Sequence, residues 1–276
     1  GERIQALYKD KRYHYPNDDV GKEKMLADMN GMVEAMSRRL PQYFGALPKA
    51  PLQIKRVPKF IEAGAPGGYY NQPSLDGSRP GIYWINLRDT GEYPRWALPT
   101  ITYHEGVPGH HLQLSLQQEA DLPMIRRASF LSAYGEGWAL YSEELAREMG
   151  VYEGDPRGEI GYIQSSLFRA ARLVVDTGMH AKRWSREKAI ETMSSIDGSP
   201  TSSATTEIER YVVWPGQACS YMIGKLEWLR LRAKAKAALG DRFDIRKFHD
   251  AGLLSGAMPL TVLEAVVDQY IAQARA

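Results

Sequence analysis

The sequence predicts a mainly α protein with a small antiparallel β element just ahead of its most histidine-rich stretch. Three observations carry that prediction. Apolar residues recur at three- and four-residue steps over most of the chain, the period of a helix with one buried face. Between 51 and 87 the pattern changes to short runs rich in Tyr, Trp and Ile, bounded by Pro and Gly. The 276 residues are 43% hydrophobic and 25% charged, enough apolar material for one large core or two small ones. No repeat, low-complexity stretch or composition shift marks an internal boundary, so 1–276 reads as one domain.

Composition also excludes some functions. A net charge of +2 gives no bulk field of the kind that marks a nucleic-acid partner. The single cysteine, Cys219, rules out an intrachain disulfide framework and reads as a small buried hydrophobe. No apolar run approaches the roughly 18 residues of a membrane helix, so no membrane span is expected. The chain opens Gly1-Glu2-Arg3 with no methionine and no leader-like segment. It reads as a fragment or processed product, which leaves the compartment open between exported (periplasmic) and cytoplasmic.

In chain order, residues 1–19 are polar and aromatic and read as a connector. Residues 20–40 carry a stripe of Met25, Met29, Met32, Val33 and Met36, a core-facing helix that Pro41 and Pro48 end. Short strands are expected at 53–57, 68–71 and 82–87, with the turn-forming run 72–81 between the last two. Residues 93–100 lead into a helix holding His104. A long helix follows at about 123–149, ended by Gly150, and another at 159–181. Ser185 is a credible N-cap for a short helix. Residues 199–206 read as a polar loop. Pro215 separates a helix from its successor at about 216–239. The basic residues between Lys225 and Lys236 read as a solvated face. Two short helices, 244–254 and 259–273, close the core.

One segment looks built for chemistry: Tyr103-His104-Glu105-Gly106-Val107-Pro108-Gly109-His110-His111. It holds three of the chain's six histidines, and a glutamate follows the first. Imidazole is the commonest protein ligand for zinc, and a neighbouring carboxylate can act as general base on an activated water. The helical H-E-x-x-H arrangement is not met, because Pro108 stands at i+4. On one straight helix His104 and His111 would lie about 10 Å apart along the axis, a long reach for one ion. Pro108 costs a helix interior about 3 kcal/mol, and Gly106 and Gly109 flank it. A kink or bulge over 106–109 is therefore expected, one that returns a histidine to the His104 side. Which of His110 and His111 is the second ligand stays open.

Glu136 and Glu143 lie seven residues apart on the predicted 123–149 helix and so share a face. A carboxylate at Glu136 would complete a two-histidine, one-glutamate zinc set with a position left for water. Each glutamate taken alone would read as a solvated helix residue. Further on, Arg169, Arg172, Asp176 and His180 form a polar stripe on an apolar helix. The stripe either faces a cleft, with Asp176 and His180 touching at i, i+4, or forms a structural ion-pair network.

The runs His104-Glu105-Gly106-Val107-Pro108-Gly109-His110-His111-Leu112-Gln113 and Tyr134-Gly135-Glu136-Gly137-Trp138-Ala139-Leu140-Tyr141-Ser142-Glu143-Glu144-Leu145 resemble the DUF885 family of bacterial proteins. That family looks like a distant relative of the gluzincin peptidases of the M3 and M32 types. The resemblance implies a multi-helix, gluzincin-like C-terminal catalytic domain, with a missing N-terminal half. It implies zinc held by His104, His110 and Glu136, with Glu105 as base, Glu143 orienting a ligand histidine, and His111 competing with His110. It also implies that Tyr221 or Tyr211 steadies an oxyanion and that the 82–87 strand offers its edge to a peptide. Arg210 is a candidate carboxylate binder, and His180 the most site-like member of its stripe. The function so implied is a zinc-dependent metallopeptidase acting on a peptide or small amide. The alternatives are a non-catalytic helical binding module, or a zinc hydrolase of a non-peptide amide or ester.

Overall fold

Helical periodicity is realised almost throughout. The chain runs through α1 (Glu2–Lys9) and α2 (Asp19–Ser37), a sheet of β1 (Leu52–Arg56), β2 (Gly68–Asn71) and β3 (Gly81–Ile85), then α3 (Leu98–Glu105), α4 (His110–Glu119) and α5 (Met124–Ala128). It continues as α6 (Ser132–Glu148), α7 (Pro156–Lys182), α8 (Arg186–Asp197), α9 (Thr201–Val213), α10 (Gln217–Leu239), α11 (Ile245–Leu253) and α12 (Leu260–Arg275). The computed structural model describes residues 1–275. Among them, no helix is long and apolar enough to cross a membrane.

The sheet is mixed, with strand order β1-β3-β2. β1 runs parallel to β3, pairing Leu52 with Gly81, and β2 runs antiparallel to it, pairing Gly68 with Ile85. The expected antiparallel element is corrected in this respect: β3 inserts between the two earlier strands. Its centre is buried at Ile82, Tyr83 and Ile85. Because both its backbone edges are used, it is not the strand that could pair with a peptide.

Four other expectations change. The 1–19 segment is no loose connector: α1 opens it, and Tyr15 is buried in the core beside β3. The 123–149 helix is broken at 129–131, because the buried amide of Gln117 donates to the carbonyls of Arg126 (2.8 Å) and Ser129 (2.7 Å), capping α5 from outside. Most of the 199–206 stretch is helical, since Ala204 and Ile208 on α9 are buried against α7 and α8. Lys225 is buried rather than solvated, and its ammonium pairs with Glu144 at 2.7 Å.

Three apolar clusters hold the body together. One joins α4, α6, α10, α11 and α12 around Trp138, Trp228 and Phe248, a second joins α7, α8 and α9, and a third packs the sheet on α2. Met25, Met29 and Met36 of the methionine stripe are buried. α6 and α10 cross so closely that a Cβ on Gly137 would lie 2.4 Å from Gly224 Cα. A side chain at either glycine would push the backbones apart. This crossing brings the residue before Gly137, Glu136, beside the first turns of α10.

Candidate metal centre

The site begins with a break in a helix. α3 stops at Glu105, since Gly106 adopts a non-helical backbone conformation (φ −91°, ψ −121°); the Val107–Pro108 peptide that follows is cis. The turn closes on itself: Gly109 N–H donates to Tyr103 O at 3.0 Å and His111 N–H to Gly106 O at 3.1 Å. A Cβ on Gly109 would lie 1.9 Å from the His104 carbonyl oxygen, so this turn admits only glycine there. From α6, the Trp138 indole N–H donates to Pro108 O at 3.0 Å and fixes the turn. The chain therefore restarts as α4 with the His110 ring 4.9 Å from that of His104, at 88°.

α6 supplies the third group. One nitrogen each from His104 and His110 and one carboxylate oxygen of Glu136 lie within 4.8 Å of one another. Glu136 Oε2 is 3.2 Å from His110 Nε2 and 3.8 Å from His104 Nε2. Donors on a tetrahedral zinc with bonds of about 2.0–2.2 Å stand about 3.3–3.6 Å apart, so only a small closure separates this set from a coordination sphere. Glu136 Oε2 and His110 Nδ1 are buried and have no hydrogen-bond partner. Buried polar atoms are seldom left unpaired, and Glu136 Oε2, facing Nε2 of both His104 and His110, fits a cation held among the three, whereas the unpaired His110 Nδ1 lies on the other edge of its ring.

Surrounding groups orient the set. His104 Nδ1 is 2.8 Å from Glu143 Oε1, which aims its Nε2 at Glu136. Glu143 is fully buried, accepts from Ser165 Oγ at 2.8 Å and lies 3.7 Å from Arg169. The other oxygen of Glu136 accepts a long hydrogen bond, 3.4 Å, from the Gln217 amide. Burial pushes the His104 ring towards its neutral form, but Glu136 and Glu143 outweigh burial and move it up to about 9. Burial works against the charge of Glu136 as well, yet His104 and His110 hold its carboxyl well below the usual range.

The cluster opens into a cleft of about 910 Å³, bordered by β2, α3, α7 and the start of α10. Glu105, Tyr221 and Arg210 line it. Tyr221 stacks over His104, with ring centroids 6.1 Å apart at 18°. Burial raises the Tyr221 phenol, which keeps its proton at neutral pH.

Other candidate residues lie elsewhere. His111 turns away, 2.8 Å from the Tyr70 hydroxyl and 3.1 Å from Ala50 O, and burial pushes its ring down to about 4. Tyr211 is packed in the α7–α9 core, its hydroxyl donating to Glu207 at 2.9 Å and accepting from Arg172 at 2.8 Å. Asp176 and His180 do not pair. Asp176 accepts from Gly216 N–H at 3.1 Å, and His180 Nε2 lies 3.0 Å from Tyr211 O, so both brace the α9–α10 turn. Residues that the sequence did not single out are Gln217, Ser165 and Glu207. Gln217 opens α10 directly after the Pro215-Gly216 break, and Ser165 extends the Arg169 stripe back by one helical turn.

Fold and site together define a helical protein with a buried histidine–carboxylate cluster at the foot of a cleft. The chain matches the model of the family described as "Bacterial protein of unknown function (DUF885)" over residues 1–267, and it belongs to that family. It is similar to a solved structure described as a "putative lipoprotein" from Colwellia psychrerythraea, with 48% identity and a TM-score of 0.96 over 99% of this chain and 47% of that one. A second structure, a "putative lipoprotein of unknown function" from Shewanella oneidensis, shares the fold at 23% identity and a TM-score of 0.80, over 95% of this chain and 48% of that one. The chain thus spans about half the length of these two. No curated protein matches it.

Proposed function

We propose that this protein is a zinc-dependent hydrolase of peptide or small amide bonds. The observation that carries the reading is the convergence of His104, His110 and Glu136, with unpaired buried atoms, next to Glu105 in an open cleft. The resemblance of the same motif residues to those of gluzincin peptidases points the same way. Two imidazoles and one carboxylate are a catalytic zinc set that leaves a position for water. Zinc held there supplies Lewis acidity to a carbonyl and brings the acidity of a water near pH 7.

The remaining work falls to side chains. Glu105 takes the proton of the attacking water as its oxygen bonds to the carbonyl carbon. It then hands that proton to the amine as the C–N bond breaks. Tyr221, still protonated, donates to the developing oxyanion. Glu143 keeps Nε2 of His104 aimed at the ion. The similar structure from Colwellia psychrerythraea is described as a "putative lipoprotein", which supports an exported location for this chain.

The test is Glu105→Gln in protein loaded with zinc, assayed on a broad panel of peptides, amides and esters. The reading expects zinc retained and peptide turnover lost. Turnover unchanged by the substitution excludes Glu105 as base, and turnover confined to esters moves the substrate class.

A further inference from the structure

A second pocket, of about 340 Å³, lies behind the wall of the cleft and includes none of the metal candidates. Arg12, Tyr13, Arg95, Trp96, Asp155 and Arg157 line it. They come from three parts of the chain: a single 3-10 turn at Lys11–Tyr13, the segment leading into α3, and the first turn of α7 with its cap. The Arg95 backbone N–H donates to Tyr13 O at 2.7 Å and ties the first two together. Trp96 stands between pocket and cleft. The residue after it, Ala97, lines the cleft, as does Tyr8, whose ring packs edge-on against Trp96 at 4.9 Å and 71°.

The pocket gathers like charges that its own carboxylates do not balance. Arg12 pairs with Asp10 at 2.6 Å, whereas Arg95 and Arg157 form no ion pair among the described residues. Asp155, the one carboxylate in the lining, caps α7 by accepting from the Arg157 backbone N–H at 3.2 Å. Three guanidinium groups thus stand against two carboxylates, and the N-terminus of α7 adds its partial positive charge. All three arginines are exposed, Arg12 by 81% of its side chain, so their donors are open to solvent. Each lies against an aromatic ring. The Arg95 guanidinium is 4.0 Å from the centre of the Tyr15 ring, and those of Arg157 and Arg12 are 5.1 and 5.7 Å from the centre of Tyr13. A guanidinium held by its face keeps its N–H edge for an anion. Like charges fixed close together repel, and an anion among them offsets that cost.

We infer that Arg12, Arg95 and Arg157 form a binding site for a phosphate monoester group, separate from the metal centre and independent of the hydrolase reading. A carboxylate is planar and is filled by one guanidinium fork. A phosphate monoester carries close to two charges at neutral pH and presents three terminal oxygens in different directions, which suits donors arriving from three segments. The pocket is of the size of small-molecule sites, and Tyr13 and Trp96 give an aromatic wall to whatever carries the phosphate. Two sources supply this chemistry: a soluble phosphate ester, or the headgroup of an anionic lipid.

The experiment titrates the protein with inorganic phosphate, phenyl phosphate and benzoate by calorimetry. In parallel it measures cosedimentation with phosphatidylcholine vesicles, with and without phosphatidic acid. Phenyl phosphate is expected to bind at least about ten times more tightly than benzoate. Arg95→Gln and Arg157→Gln should each weaken phosphate binding by about tenfold to a hundredfold, and Arg157→Lys, which keeps the charge but loses the fork, by less. These side chains are exposed, so thermal unfolding should be unchanged, and Arg12→Gln gives a further reading if one variant fails to fold. Glu136→Ala separates this pocket from the metal centre, because binding at the arginines survives it. Arginine-dependent binding of the soluble phosphates with no vesicle binding assigns a soluble ester. Arginine-dependent binding to phosphatidic acid vesicles assigns a lipid headgroup. No binding of any phosphate form, benzoate as tight as phenyl phosphate, binding that survives both glutamine variants, or binding lost in Glu136→Ala overturns the site.

Discussion

His249 and His110 are both buried on helices, and their surroundings differ in one respect. Every polar atom of His249 is used: Nδ1–H donates to Tyr43 O at 2.8 Å, and Nε2 accepts from the Tyr141 hydroxyl at 2.8 Å. Its ring stacks on Phe44, with centroids 4.8 Å apart. His110 has an unpaired Nδ1, and its Nε2 faces a carboxylate oxygen that is itself unpaired. The first arrangement is complete as it stands and serves the core. The second leaves two buried polar atoms without partners. Burial and residue type are the same in both places; what separates structure from site is whether the hydrogen bonds close.

The largest effect expected from this contrast is on turnover. Glu105→Gln should lower kcat by about a hundredfold to ten-thousandfold, with zinc content unchanged, when measured on the best substrate of the panel. A substitution at His249 should do the opposite, leaving zinc in place and lowering stability.

That stability is pH-dependent. Burial pushes the His249 ring down to about 3, whereas an exposed histidine titrates near 6.5. Above pH 6.5 both folded and unfolded chains carry a neutral ring, and the contribution is fully present. As pH falls below 6.5 the unfolded chain takes up a proton that the fold refuses, so stability declines towards pH 3 by a total on the order of 5 kcal/mol. Urea midpoints measured from pH 7.5 to pH 4.5 should drop, and the slope should be shallower in His249→Leu. At pH 7.5 that variant should lose about 2–3 kcal/mol, since Tyr141 and Tyr43 lose their partner. An unchanged slope would break the comparison on its structural side.

A smaller effect is expected at the carboxylate that orients His104. Glu143→Gln should weaken zinc by about tenfold to a hundredfold in competition with a chelator, because His104 loses the carboxylate that aims it. An equal loss of zinc in His249→Leu would mean that general loosening, not orientation, sets affinity.

How much of this was legible in the sequence depended on range. The metal candidates were, because Pro108 and its flanking glycines announce a break and Glu136 and Glu143 keep helical register. The methionine stripe of α2 and the terminal helices were readable for the same local reason. The break before α6 was hidden because its cause, the Gln117 amide, belongs to another helix. The parallel pairing of β1 with β3 was hidden because a strand's partner is chosen by the tertiary layout, not by its own residues. The partners of Asp176 and His180 were hidden for a related reason: i, i+4 spacing allows a contact, but backbone groups of the α9–α10 turn offered each a better partner.

The most direct measurement is zinc content at neutral pH after equilibrium dialysis, on three proteins side by side. The account predicts one zinc per chain for the unsubstituted protein and for His249→Leu, and none for Glu136→Ala. No stoichiometric zinc in the unsubstituted protein, or equal zinc in Glu136→Ala, would contradict it.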